Sequence, residues 1–438
     1  MTQPTVESLV TYDSWGHYPV STPSQVIVLD EQPELPARWE ATLLPYGNGC
    51  SYGDVCLNNG GTLLVTRAAN TLLDADWERG VVRCQAGMTI GDLNSASLPH
   101  GWLVPVTPGT QLVTLGGALA NDVHGKNHHG AGSFGCHIRC FELMRSDGST
   151  RICSANKHAE FFFGTIGGLG LTGLVSWVEL ALKRVPGPWL EVETIKYADL
   201  DEFARLSDES MDFEYAVAWI DCSSPNGRGV FQRANHVATR TRRAPESRTR
   251  FELPFTPSFS LVGSVTTTLF NAAYFGARRS RALAIRPSGE FFYPLDNVGG
   301  WNRIYGRRGF VQFQCVIPNP GGYAGVARLL TLMRTSRMGS FLTVLKHMGE
   351  KRSGGYLSFP RSGVTLAVDF PFRGEPTQRL LARLEDEVLS SGGAVYPAKD
   401  ALMSNAAFEA LSDCHDEFTA VRDRAFESDF IRRVQPRP

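Results

Sequence analysis

PYGNGCSYGD at Pro45–Asp54 and PVTPGTQLVTLGGALANDVHGKNHHGAGSFG at Pro105–Gly135 decide how this chain is read. Both are Gly-rich loops. Glycine accepts positive φ and carries no Cβ, so such a loop can turn consecutive backbone N–H groups toward one anion and let it approach the main chain. Two of them in one module can clamp a diphosphate. On composition alone, a pair of ordinary β-turns in an α+β domain would look the same.

A third cluster, Gly168-Leu169-Gly170-Leu171-Thr172-Gly173, fits the GxGxxG pattern of dinucleotide-binding folds. That fingerprint requires a strand before it and a helix after it, so that the helix N-terminus meets the pyrophosphate. Here Lys157–Phe163 reads as helix and the following LVSWVELAL alternates like a strand. The order is inverted, and a Rossmann fold is rejected.

Outward from these loops, residues 1–186 are dense in short β-like runs (QVIVL, TLLVT, GVVRCQAG, GLVSWVELAL) with helix-like pieces such as Ile90–Leu98 between them. The texture changes at Trp189. Thr239–Arg250, TRTRRAPESRTR, is basic and poor in core residues, the pattern of a mobile surface loop. Phe251–Phe275 is apolar, contains Pro254 and Pro257, and runs into Arg278, Arg279 and Arg281. It reads as ordinary packing, with a lid or a membrane-surface contact as the other option. Further strand-like runs follow (GFVQFQCVIP, GVTLAVDFPF), then an amphipathic helix around Thr377–Leu389, Gly392-Gly393 and a short C-terminal tail.

With 43 Lys+Arg against 44 Asp+Glu in 438 residues, no large field is available to grip a polyanion, and nucleic-acid binding is not expected. At 42% hydrophobic and 20% charged, the chain has the material for sizeable cores. Nine scattered cysteines, an odd number, read as reduced thiols. The first residues carry no basic start or apolar run of an export signal, and no stretch is long enough to span a membrane, so the expected location is cytoplasmic, with peripheral membrane contact as an option. Asp122, His124, His128 and His129, with Cys136-His137-x-x-Cys140 nearby, could pass for a metal cluster. The interspersed glycines spoil the helix or knuckle geometry that zinc ligands favour, and no metal is expected.

The order of residues in these segments resembles the flavin-dependent oxidases of the vanillyl-alcohol oxidase type, and within them the branch that oxidises a polyprenylphosphoryl ribose. The matching runs are GxGxSYGD (Gly47–Asp54), PGTxxVTxGGAxAxDxHGKNHHxAGSFG (Pro108–Gly135), TxGGxGLTG (Thr165–Gly173), PLDxxGxWNRxYGxxGF (Pro294–Phe310), SFLxVxK (Ser340–Lys346), VDFP (Val368–Pro371) and AKD (Ala398–Asp400). They occur in the family's order over nearly the whole chain. The resemblance implies an α+β fold: a two-subdomain FAD-binding domain of the vanillyl-alcohol oxidase type over 1–186 and 394–438, and an α+β substrate domain with an antiparallel sheet over 187–393.

The resemblance also implies roles. Gly47, Asn48, Gly49, Cys50, Ser51, Tyr52 and Gly53, with Gly109, Thr110, Thr114, Gly116 and Gly117, would hold the FAD, and Asn121, Val123, His124, Val175 and Tyr396 would complete its site. Many relatives bond flavin covalently through a histidine in the first loop. Cys50 stands at that position, as the ribose-oxidase branch also lacks the histidine, so the FAD is expected to be noncovalent. Oxidising a carbinol needs the hydroxyl proton removed as hydride leaves the carbon. Lys399 would carry that proton and stabilise charge, with His124 and Tyr52 as further catalytic candidates. Lys346 would reach the sugar or its phosphate, and Tyr305, Gln312, Gln314, Asp369 and Thr365 are the other substrate-binding candidates.

Departures from the family pattern are local. Thr365-Leu366-Ala367 replaces an Asn-x-Cys, which implies that nitroaromatic inhibitors relying on that thiol form no adduct here. Leu169 replaces an Asn and Tyr46 an Arg. The activity implied is oxidation of the C2 hydroxyl of a polyprenylphosphoryl-β-D-ribose, the first half of an epimerisation to an arabinose donor for cell-wall glycans that a short-chain reductase would complete. Oxidation of an aldonolactone or another sugar on the same fold, or flavin binding without catalysis, are the alternatives.

Overall fold

The computed structural model describes residues 11–239 and 251–435. Of the basic tract read as a surface loop, all but Thr239 lies outside them.

Two small sheets build the N-terminal part. Gln25–Val28, Thr62–Val65 and Leu43–Tyr46 form a parallel sheet in that spatial order. Leu72–Asp76, Val81–Gln85, Leu174–Ala181, Ile138–Met144 and Thr150–Ser154 form an antiparallel sheet in that order. The strand Leu174–Ala181 alternates strictly, with Leu174, Ser176, Val178 and Leu180 buried, as a strand with one face on a core must. Its core is shared with the helix Ile90–Ser97, which starts at a capping box between Thr89 and Asp92. Around the GxGxxG segment, the helix Ala159–Thr165 precedes and the strand Leu174–Ala181 follows, as the sequence indicates for a non-Rossmann turn. Leu169 there has φ +57°, a conformation that suits the Asn of relatives better than leucine.

The larger sheet is antiparallel and eight-stranded. Its order is Ala282–Pro287, Trp189–Tyr197, Gly229–Val237, Tyr215–Ile220, Thr343–Met348, Gly363–Pro371, Phe310–Ile317 and Ala394–Val395. The helices Leu200–Asp208, Gly322–Ser336 and Glu375–Ser390 cover one face, where Phe203, Leu329 and Leu384 join Phe313, Leu366 and Val368 in the largest core. Phe310–Ile317 is buried along its whole length, so both of its faces are covered although it carries two glutamines. A fully buried strand with an amide pair on one side marks where a polar site is built into the fold.

Two expectations are corrected. The segment after Gly393 is no tail: Asn405–Glu409, His415–Val421 and Asp429–Val434 are helices that bury Phe408, Phe418 and Phe430. Arg433 there grips Asp54 at the end of the first Gly-rich loop with a two-pronged ion pair of 2.8 and 2.9 Å. Nor is the apolar stretch that follows residue 251 ordinary packing, since Phe255, Phe259, Leu261, Val265, Leu269 and Phe270 are exposed. Among the described residues no helix is long and apolar enough to cross a membrane.

Candidate active site

The sheet register assembles one wall. Gln312 pairs with Asp369 and Gln314 with Ala367, while Lys346 pairs with Thr365. Directly opposed residues of an antiparallel ladder project to the same side. Gln312, Gln314, Lys346, Thr365, Ala367 and Asp369 therefore share the face away from the helices. Asp369 is wholly buried and accepts a short hydrogen bond from the Gln312 amide, with the Tyr305 hydroxyl at 3.5 Å. Burial raises its pKa against the pull of Gln312 and Lys399.

Lys399 enters this wall from the next turn of chain. Ala394–Val395 pairs with the edge of Phe310–Ile317, and the short 3-10 turn Pro397–Lys399 follows. Its ammonium nitrogen lies 3.7 Å from the centroid of the Tyr52 ring. Burial lowers the Lys399 pKa, and the negative charge of Asp369 opposes that shift. Tyr52 is held by its own N–H, which donates to Ala398 O at 3.0 Å, and by edge contact with Phe310. Burial pushes its phenol well above the ordinary value, so it is neutral.

His124 crosses from the second Gly-rich loop to the sheet. One ring nitrogen lies 2.8 Å from the Gln314 amide, which also reaches Thr365 Oγ1 at 3.2 Å, and the other lies 3.1 Å from Lys346 Nζ. Burial, and then the Lys346 charge, hold the imidazole pKa well below its usual value. A neutral ring with one donor and one acceptor nitrogen fits between an amide and an amine. Lys346 also donates to Gly125 O, and burial brings its pKa down to about 7.

The two loops meet as their compositions suggest. Asn48 Nδ2 donates to Leu112 O at 2.7 Å, and a Cβ on Gly47 would strike the Thr114 side chain at 2.5 Å. Gly53 is packed so tightly that a Cβ would lie 2.0 Å from Asp400 O. Among the described residues, the N–H groups of Asn48, Gly49, Cys50, Gly109 and Thr110 have no hydrogen-bond acceptor, and the space where a Gly109 side chain would project is open. Backbone donors without acceptors at the junction of two loops, with open space at Gly109, fit a diphosphate. The buried, unpartnered Asn121 Oδ1 adds a free acceptor, and Tyr396 is fixed beside it through its hydroxyl on Asn121 O at 2.8 Å. Val123 is buried in this loop, whereas Val175 is half-buried against the five-stranded sheet's core. Thr114 accepts from the Gly117 N–H at 3.2 Å, and Gly116 N–H donates to Ala86 O, so Gly116 and Gly117 fix the loop. Ser51 O accepts from Trp15 N–H at 2.8 Å. Burial pushes the Cys50 thiol up to about 12, which leaves little thiolate at neutral pH.

In the histidine-rich stretch the His124 and His128 rings meet edge-on, 6.4 Å between centroids. Asp122 is wholly buried and takes four donors: Ser133 Oγ at 2.9 Å, Gly135 N–H at 2.8 Å, and Ser353 and Ser358 Oγ at 2.6 Å each. His129 meets Phe213 O and His137 meets Ala131 O. No group of three metal-ligating side chains occurs among the described residues.

Two contributors carry no role in the sequence reading. Lys126, inside the HGKNHH run, donates to Phe292 O at 2.8 Å and to Phe291 O, and burial brings its pKa down to about 7. Asp296 accepts the Gln111 N–H at 3.0 Å and so braces the second loop. Both lie within motif runs, which is the signal that could have flagged them.

The FAD binding domain family matches residues 35–154. Over 408 residues, covering 89% of this chain and 88% of the relative, the chain is 32% identical to decaprenylphosphoryl-beta-D-ribose oxidase of Mycolicibacterium smegmatis. It is also 32% identical to an uncharacterized protein of Streptomyces coelicolor, over 79% of this chain and all of that one. Human delta(24)-sterol reductase is 24% identical over 111 residues, 25% of this chain and 22% of the reductase.

Proposed function

The chain belongs to the family of FAD-dependent oxidases that includes decaprenylphosphoryl-beta-D-ribose oxidase, and from that premise we propose that it oxidises the C2 hydroxyl of a polyprenylphosphoryl-β-D-ribose to a ketone. Its cofactor is FAD. When bound, FAD accepts the hydride released from the carbinol carbon.

The observation that carries the reading is the meeting of Lys399, Tyr52 and the Gln312–Asp369 pair beside the loop junction. Lys399, partly neutral because it is desolvated, takes the hydroxyl proton and becomes an ammonium, which the Tyr52 ring face and the Asp369 charge then stabilise. Gln312 and Tyr305 act through Asp369, holding the carboxylate in place. Gln314 and Thr365 act through His124, which aims Lys346 at the sugar or its phosphate. Asn48, Gly49, Cys50, Gly109 and Thr110 present main-chain donors to the FAD diphosphate. Ala367, facing the same side as Gln314, offers a methyl group where relatives place a thiol.

In this reading residues 1–186 and 394–438 form the FAD domain and 187–393 the substrate domain. The Arg433–Asp54 pair supports returning the C-terminal segment to the first module. The enzyme works in the cytoplasm, a short-chain reductase reduces its ketone to complete the epimerisation, and oxygen or a quinone reoxidises the flavin. The test is an anaerobic titration of the yellow protein with polyprenylphosphoryl ribose. Bleaching of the flavin absorbance is expected; bleaching by aldonolactones or free sugars instead would replace the substrate assignment.

A further inference from the structure

The helix Ser264–Ala277, SVTTTLFNAAYFGA, contains no Asp, Glu, Lys or Arg, yet Val265 is 69% exposed, Leu269 67% and Phe270 48%. Its buried residues are the polar ones. Thr267 bonds back to Gly263 O at 2.7 Å, and Asn271 donates to Asp221 Oδ1 at 2.9 Å and to Ser340 O at 3.2 Å. A helix on a water-facing surface normally shows the reverse arrangement. Before it, Phe255, Phe259 and Leu261 are exposed as well. Arg278, Arg279 and Arg281 follow the helix C-terminus, where cations also complement the helix dipole.

Ring contacts link this surface to the active-site wall. Phe270 packs on Phe341 at 5.5 Å between ring centroids, Phe341 stacks on Tyr305 at 6.0 Å, and the Tyr305 hydroxyl faces Asp369. The exposed segment is pinned to the same wall, with Leu261 N–H on Ile304 O and Arg307 N–H on Pro257 O.

We propose that the helix Ser264–Ala277 and the Phe255–Leu261 segment form a docking face for an anionic lipid bilayer, with the apolar side chains entering the headgroup–acyl boundary and the arginines meeting lipid phosphates. An apolar face bounded by cations is the arrangement interfacial helices use, and the arginine stems extend the apolar contact while their heads reach the phosphates. Ring contacts then join the docking face to the wall that Lys399 enters. The choice of a bilayer as partner rests on the lipid-linked reading of the site.

The test is co-sedimentation of the FAD-loaded protein with vesicles of phosphatidylcholine, alone or with phosphatidylglycerol, in the absence of substrate. Wild type is expected to sediment with the anionic vesicles. A Leu269→Glu/Phe270→Glu double variant should lose binding by about tenfold or more while keeping its flavin spectrum, and an Arg278→Ser/Arg279→Ser variant should lose the preference for anionic lipid. Wild type that stays in the supernatant, or a double variant that sediments like wild type, overturns the proposal. So does a concentration-dependent dimer that the double variant abolishes without any vesicle binding, because the face would then cover a second copy. Vesicle binding without substrate bleaching would remove the ribose reading and leave the docking face standing.

Discussion

At the scale of single residues, the proposed chemistry turns on how little water surrounds Lys399. Desolvation favours the neutral amine, and the neighbouring Asp369 charge favours the ammonium; the first effect is larger and the pKa falls below the ordinary 10.5. A neutral amine is the form that accepts a proton. The rate of flavin reduction by substrate should therefore rise with pH through a pKa below 10.5, measured by stopped-flow bleaching under anaerobic conditions. A rate that falls over that window would make Lys399 a fixed cation and not a base. Lys399→Met should slow reduction by about 10²–10⁴-fold while the bound flavin spectrum persists. Much of this neighbourhood is legible in the sequence, because Lys399, Lys346, His124 and Tyr52 sit in ordered motif runs. Lys126 and Asp296 sit in such runs too, but their roles are not legible there, since their partners lie 165 and 185 residues away and contacts of that span leave no local pattern.

At the scale of elements, Asp122 is the clearest joint. Its carboxylate ties the end of the helix Leu115–Ala120 to Ser133 and Gly135 and, across the molecule, to Ser353 and Ser358. Asp122→Ala leaves the Gly135 N–H without an acceptor, whereas the three serine hydroxyls can rotate toward other acceptors. A loss of about 3 kcal/mol is expected, read as a lowered urea midpoint by circular dichroism. Asp122→Asn keeps one carbonyl acceptor and should lose less. What sequence patterning reveals at this scale follows burial geometry. Leu174–Ala181 alternates because one side faces a core, and the helix Glu375–Ser390 repeats its leucines because one stripe does. The C-terminal helices escape such reading because they are five to seven residues long and owe their form to tertiary burial. The outward apolar face of Ser264–Ala277 escapes it for another reason: periodicity gives the face of a helix but not the direction in which that face points.

At the scale of the whole molecule, FAD bound as proposed would add one more tie between parts already joined through Asp122, His124 and Lys126. The first loop leads from the parallel sheet, which shares the largest core with the eight-stranded sheet, and the second loop leads from the core of the five-stranded sheet. Direct fastening between the loops is the Asn48–Leu112 bond and the Gly47–Thr114 contact, with Asp296 bracing the second. A diphosphate held, as proposed, by N–H groups from both loops would add a ligand-dependent fastening between the two cores. Stripping the flavin should lower the midpoint of thermal unfolding, and added FAD should restore it progressively, since a ligand at about 1,000 times its Kd contributes about 4 kcal/mol. The same experiment tests how the cofactor is held. Cys50 stays a thiol at neutral pH because burial outweighs the Lys399 charge beside it, so the flavin should leave with the supernatant when the protein is precipitated in acid, and Cys50→Ser should bind and release it equally well. Yellow colour that stays with the pellet in wild type and leaves it in Cys50→Ser would instead establish a cysteinyl bond, and the fastening between the two cores would then be covalent at one end.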